Sequence, residues 1–220
     1  MKRALLSWSG GKDSSLSLYE VATKGEFEIA AILTTLTKGF DRISMHGVRR
    51  ELLEMQASAL GLRSEQVWIP KRATNRKYEE QMARTLKKYK AKGIAHVIFG
   101  DLFLEDIRKY REDRLAKLDM KGVFPLWGRP TRELAGFFIE KGFKAILCCI
   151  DPKALGKEFC GREFDRSLLR DLPARVDPCG ENGEFHTFVY DGPIFKERLQ
   201  VVVGETVLRE RFYFTDILAR

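Results

Sequence analysis

The sequence predicts an α/β protein, with a doubly wound, mainly parallel sheet in its first half and a smaller second lobe after it. Three observations carry this. Apolar runs at Ala4–Trp8, Phe27–Leu36, Val67–Ile69 and Ala95–Phe99, the second of them β-branched, alternate with segments of helical periodicity, the pattern of strand–helix–strand units. The first strand leads into Ser9–Ser14, read as SGGKDS, and that turn leads directly into a helix. Around Phe124–Thr131 the alternation gives way to prolines and Trp127, which sets a lobe boundary near Leu118–Trp127 and divides the chain into 1–122 and 123–220.

The glycine turn is the most informative stretch. Gly10 and Gly11 let the backbone take positive φ and approach a ligand closely, and the helix that follows presents unpaired N–H groups and a partial positive charge. Such a turn suits an anion. Lys12 adds a point charge, Ser9 and Ser14 add hydroxyl donors, and Asp13 can hold a magnesium ion or tie down the loop. Leu6 stands where a Walker A loop has its first glycine, and the dinucleotide spacing G-x-G-x-x-G is absent. A plain capped strand-to-helix turn is the simpler alternative.

The remaining elements follow in order. A helix runs from the turn to Ala22, with Gly25 as its stop, and Phe27–Leu36 is a buried parallel strand followed by a polar turn with Met45, His46 and Gly47. Val48, Leu52, Met55, Ala59 and Leu60 recur at helical spacing up to Gly61. Asn75–Lys92 reads as a charged helix, its lysines gathered at the negative end of the dipole. Gly100 and Asp101 end the next strand, where open α/β sheets place ligand contacts; Asp101 is a magnesium or substrate contact, or else a helix cap. On a helix over Leu104–Met120, Arg108, Arg111 and Arg114 share one face, either as a salt-bridge ladder or as an electropositive wall. A helix with Leu134, Phe137 and Phe138 leads to the strand Ala145–Ile150, and Leu199–Val203 with Thr206–Phe214 reads as a terminal strand pair or a dimer edge.

Composition bounds the rest. With 44% hydrophobic and 32% charged residues, the 220-residue chain can bury a sizeable core. The net charge of +8 would suit an anionic partner, but acids interspersed among the lysines and arginines point to solvated helix faces, and a nucleic-acid partner is not expected. No run approaches a membrane span or a signal peptide, so a cytoplasmic location is expected. Cys148, Cys149, Cys160 and Cys179 form no C-x-x-C pair or zinc spacing and are expected as reduced thiols.

A second signature lies at Asp177–Phe195. Glu181 and Glu184 flank the turn residues Asn182 and Gly183, and His186, Thr187, Tyr190 and Asp191 follow. The bland interpretation is a β-hairpin turned at Asn-Gly; the sharper one is a carboxylate pair plus an imidazole that orients a nucleophile, moves a proton or holds a metal.

SGGKDS matches the PP-loop, SGGxDS, of the N-type ATP pyrophosphatases. Together with GENGEFHT near the end it resembles the diphthine–ammonia ligase family and its bacterial relatives over essentially the whole chain. That resemblance implies a HUP-type nucleotide domain followed by a smaller α+β domain. It also implies release of AMP and pyrophosphate from ATP with Mg2+ as a carboxylate is adenylated and then amidated by ammonia. Carried onto this sequence, it gives Ser9, Gly10, Gly11, Lys12, Asp13, Ser14, His46, Gly100 and Asp101 as nucleotide contacts. Asp13 and Asp101 become metal ligands, and Lys12, Asp13, Glu181, Glu184 and His186 catalytic residues. Against the E-G-G-E-[FY]-E pattern of the ligases, Asn182 replaces a glycine and His186 an acid. The ENGEFH form resembles a sister group linked to cobalamin salvage or amide metabolism, so the identity of the carboxylate stays open. The other readings are a sulfur-transfer or tRNA-modifying PP-loop enzyme, with Cys149 or Cys179 as carrier, and a nucleotide sensor of the universal-stress type.

Overall fold

In the computed structural model, which describes residues 1–220, the alternation of apolar runs and helices becomes two sheets. The first is built from β1 (Lys2–Ser7), β2 (Phe27–Thr37), β3 (Arg42–Ile43), β4 (Ser64–Ile69), β5 (His96–Ile98) and β6 (Lys121–Val123). β1 pairs parallel with β2 and β5, β2 with β4, and β5 with β6, while β3 returns antiparallel along the end of β2. The parallel strands therefore lie in the order β4-β2-β1-β5-β6. The order reverses between β1 and β5, so the crevice at their C-terminal ends is where such a sheet binds a ligand.

Helices α1 (Lys12–Lys24), α2 (Arg50–Leu60), α3 (Asn75–Lys90) and α4 (Glu105–Ala116) connect these strands. α1 and α2 stop at the expected glycines, Gly25 (φ 66°) and Gly61 (φ 68°). α4 is shorter than its charge pattern predicts. After Ala116 the chain turns, with Asp119 at φ 51° and Met120 N–H donating to Leu115 O, and Lys121–Val123 becomes β6. Two-residue β3 and Gly-containing β6 carry no β-branched run, and periodicity does not reveal them.

The second sheet follows α5 (Thr131–Glu140) and is antiparallel throughout, in the order β8-β7-β10-β9. It comprises β7 (Lys144–Ile150), β8 (Phe185–Asp191), β9 (Val201–Arg209) and β10 (Phe212–Ala219), with a short helix α6 (Arg166–Asp171) between β7 and β8. Two expectations are corrected. The terminal hairpin turns at Glu210–Arg211, with Glu210 at φ 54°, and β9 runs on through Gly204. No hairpin forms at Asn182–Gly183: that segment is a loop, tied by its own carboxylates, which delivers the chain into β8.

The hydrophobic core crosses between the sheets. Leu6, Trp8, Ile32, Leu52 and Leu53 from the first half pack in one cluster with Ile146, Phe188, Tyr190 and Ile217 from the second. A second cluster, on Phe138, Phe143, Phe185 and Val189, takes in Leu16 of α1 and Leu102. A third, with Val67, Leu86, Tyr89 and Leu115, covers the outer face of the first sheet. No helix is long and apolar enough to cross a membrane.

Candidate active site

The end of β1 presents the glycine turn at the switch point of the sheet. Trp8 N–H donates to Leu33 O, Gly10 takes φ 79°, and Gly11 caps α1 with an extended backbone. Glycine is required at position 10, because a Cβ there would lie 2.7 Å from Gln56 Oε1 on a left-handed backbone. Gly11 O is taken by Ser15 N–H and by the hydroxyls of Ser14 (2.9 Å) and Ser15 (3.0 Å). Gly11 N–H donates to Ser9 Oγ at 3.2 Å, whereas the amides of Gly10, Asp13 and Ser14 donate to no protein acceptor. Unengaged N–H groups at a helix N-terminus form an anion cradle.

Lys12 is 3% exposed, and its ammonium lies 2.8 Å from both oxygens of Asp13. Burial works against the charge, but Asp13 outweighs it and raises the Lys12 pKa. Gly100 closes the floor: a Cβ there would meet the Asp13 backbone at 2.9 Å, so β5 approaches α1 closely only with glycine at that position. Asp101 Oδ1 accepts from Arg111 Nη2 at 3.0 Å, and Oδ2 is ion-paired with Arg111 Nε at 2.7 Å without hydrogen-bond geometry, the guanidinium lying over the Phe99 ring. The expected metal ligands, Asp13 and Asp101, are thus engaged by Lys12 and Arg111. No three His, Cys, Asp or Glu side chains converge as a metal cluster. The residues present do not form a resident magnesium site.

The arginines of α4 form a ladder. Arg108 pairs with Glu112, Arg111 with Asp101 and Arg114 with Glu79, so none is left as a free wall for phosphates.

The second signature meets the loop directly. Lys12 N–H donates to Thr187 Oγ1 (3.0 Å) and Val189 N–H to Gly10 O (2.8 Å), so β8 lies along the glycine turn. Glu181 reaches across to accept from Leu102 N–H at 2.8 Å. Burial raises its pKa to about 7, with the Asp13 and Asp101 charges adding to the shift and the Leu102 hydrogen bond and Lys12 opposing it. Asp177 orders this segment by accepting from Cys179 N–H and Glu181 N–H.

Glu184 points elsewhere. Its Oε1 accepts from Asp177 N–H and Asn182 Nδ2, and Oε2 is buried without a partner beside a shallow cavity of about 220 Å3 that Asp151, Lys153 and Arg175 also line.

His186 and His46 face each other at 4.5 Å between ring centroids. His46 Nδ1 lies 3.2 Å from Thr187 O; a carbonyl only accepts, so the proton is on Nδ1 and Nε2 is the free acceptor. Burial, then the Lys12 charge, lowers the His186 pKa to about 4, and burial and His186 lower that of His46. Both imidazoles are neutral at neutral pH. Burial pushes the thiols of Cys149 and Cys179 up to about 12, which leaves them poor nucleophiles.

Sequence reasoning missed Gln56, and it named Thr187 and Arg111 without their partners, Lys12 N–H and Asp101. Gln56 carried a signal, as the one amide within the apolar stripe Leu52, Leu53, Ala57 and Ala59 of α2.

Comparison with known proteins covers most of the chain. Residues 1–121 match the diphthamide synthase N-terminal domain and residues 130–218 the diphthamide synthase C-terminal domain. The chain is 26% identical over 234 residues to a diphthine--ammonia ligase of Danio rerio, covering 95% of this chain and 90% of that protein. It is 26% identical over 233 residues to the Homo sapiens protein of the same name, covering 95% and 86%. The Schizosaccharomyces pombe protein of that name is 24% identical over 217 residues, 36% of its own length. Among solved structures, a predicted subunit of tRNA methyltransferase from Methanocaldococcus jannaschii aligns with a TM-score of 0.41 and 17% identity, over 71% of this chain and 82% of that one. With both domain models matched in order on a single chain, and the two signatures in contact, the chain belongs to the diphthamide synthase family.

Proposed function

We propose that this protein is an ATP-dependent amide-forming ligase that adenylates the carboxylate of a protein-borne diphthine residue and amidates it with ammonia. The observation that carries this is the contact between the anion cradle and β8: Lys12 N–H on Thr187 Oγ1 and Val189 N–H on Gly10 O. The nucleotide loop and the second signature form one site, as a reaction that joins ATP to a second substrate requires. Kinship with proteins named diphthine--ammonia ligase supports the choice of acid.

In this reading residues 1–122 bind ATP and residues 123–220 supply the acid-binding side. The free amides of Gly10, Asp13 and Ser14, the α1 N-terminus and Lys12 neutralise the departing phosphates, which is mainly positioning and charge stabilisation. The substrate carboxylate attacks the α-phosphorus, and pyrophosphate leaves with the electrons of the broken P–O bond. Ammonia then adds to the acyl carbonyl, AMP leaves, and the nitrogen loses a proton. Glu181, with its pKa about 7, is the group suited to accept that proton. Magnesium is expected to arrive with the nucleotide. A sulfur-transfer reading is not favoured, since the thiols of Cys149 and Cys179 stay protonated.

The test is to incubate the protein with ATP, ammonium and diphthine on its carrier protein, with a corrinoid carboxylate as the competing acid, and to follow AMP and pyrophosphate. AMP is expected with diphthine only. Lys12→Ala and Asp13→Ala are expected to abolish both products in folded protein; near-normal pyrophosphate release in either variant would refute the role of the loop.

A further inference from the structure

We propose that Gln56 is a positioning residue of the nucleotide loop: its amide fixes the Gly10–Gly11 peptide so that the Gly10 carbonyl oxygen is kept out of the cradle that the free amides of Gly10, Asp13 and Ser14 offer to the phosphates. The inference rests on the ATP reading above and adds a residue outside both signatures.

Gln56 is wholly buried on α2, among leucines and alanines, where an amide is costly unless its hydrogen bonds are made. They are made to one place. Its Oε1 accepts from Trp8 Nε1 at 2.9 Å, and its Nε2 donates to Gly10 O at 3.0 Å and to Val189 O at 2.6 Å. An indole N–H only donates and carbonyls only accept, so a single orientation of the amide satisfies all three partners.

Gly10 O receives two donors, Gln56 Nε2 from α2 and Val189 N–H from β8. In a trans peptide the carbonyl and the following N–H point to opposite sides. Holding Gly10 O against β8 therefore turns Gly11 N–H the other way, towards the hydroxyl of Ser9. Two adjacent glycines, the first at φ 79°, leave this peptide free of the Cβ clashes that oppose a flip. A flip would turn the Gly10 oxygen to the side now held by Gly11 N–H, beside Ser9 Oγ, and set a carbonyl oxygen where the loop is to receive phosphate. Gln56, together with Val189 N–H, removes that freedom, and the absent Cβ of Gly10 is what lets the amide come so close.

The test measures ATP affinity directly, by equilibrium dialysis of labelled ATP against the full-length protein and its Gln56→Met and Gln56→Glu variants, with thermal melts to verify folding. Gln56→Met keeps the shape and removes the donors; it is expected to weaken ATP binding about tenfold or more, equally at every pH. Gln56→Glu is expected to be at least as weak at about pH 8, where a carboxylate would face two carbonyl oxygens. It should recover towards wild type near about pH 5, because the protonated carboxyl regains a donor and burial raises its pKa. That recovery, taken as a ratio to wild type, is not produced by a merely structural role and decides the matter even if Gln56→Met does not fold. ATP affinity within about twofold of wild type in folded Gln56→Glu at both pH values, or a deficit in it that does not change with pH, would overturn the proposal. Failure of the wild-type protein to bind ATP would overturn the nucleotide reading itself, and the wild-type arm tells the two apart.

Discussion

Glu181 is the ionisable group in the site whose affinity for a proton lies nearest neutrality, at about 7. Its usual value is lower, so the folded protein favours the protonated acid; the base form that would take a proton from the attacking nitrogen gains population as pH rises through about 7. The wild-type rate is therefore expected to carry a limb near that pH beyond the one due to ammonium itself, and Glu181→Gln to lose about a hundredfold in amide formation together with that limb. A pH–rate profile of both proteins, read as their ratio, checks this; a limb that survives in Glu181→Gln would place the proton acceptor elsewhere. The glycines, Lys12 and Glu181 stood out in the sequence as candidates, because each is costly to keep without a reason, and the structure brings them together around one loop. Gln56 shows in the sequence only as an amide inside an apolar stripe, and its role does not, because its three partners, Trp8, Gly10 and Val189, meet only in the fold.

At the scale of elements, β10 is fastened to the first half by one carboxylate. Asp216 takes Arg49 at 2.6 Å and Arg42 at 2.9 Å, bridging the start of α2, β3 and the terminal hairpin. Burial opposes its charge, but the two guanidinium groups outweigh burial and lower its pKa to about 2. The folded value lies below the unfolded one, so this stabilisation is present above about pH 4 and fades as pH falls towards 2. Asp216→Asn is expected to cost about 1 kcal/mol, discounted because the groups are partly exposed, and to lower the melting temperature by roughly 2–4 °C. Melts of both proteins from neutral pH down to the acid limb check it: the difference should shrink with acidification, and a constant difference would mean the ion pairs do not carry it. The tie was invisible in the sequence, since 167 positions separate Arg49 from Asp216. Long elements such as β2, α1 and α3 were legible because their periods run for many residues. β3, β6 and the loop at Asn182–Gly183 were not: short pairings and side-chain-tied turns are set by their neighbours rather than by their own pattern.

Taken whole, the molecule has its central cluster between the sheets, with Trp8, Leu52 and Leu53 against Phe188, Tyr190 and Ile217. A fragment ending at residue 122 would leave that face bare. It is expected to lack a cooperative melt and to bind a hydrophobic dye strongly, as calorimetry and dye fluorescence would show; a sharp two-state transition in the fragment would mean the first sheet is self-sufficient. The same cluster sets the order of events during synthesis. β1 leaves the ribosome well before β8, and Phe188 and Val189, against which its loop is set, follow some 180 residues later. At ordinary elongation rates that is a delay on the order of ten seconds. Through that interval the nascent chain has the residues of a phosphate cradle without the strand that shapes it. Until then the apolar face that Phe188, Tyr190 and Ile217 cover stays open to water. On the proposed nucleotide role, competence to bind ATP is expected only once synthesis has passed β8.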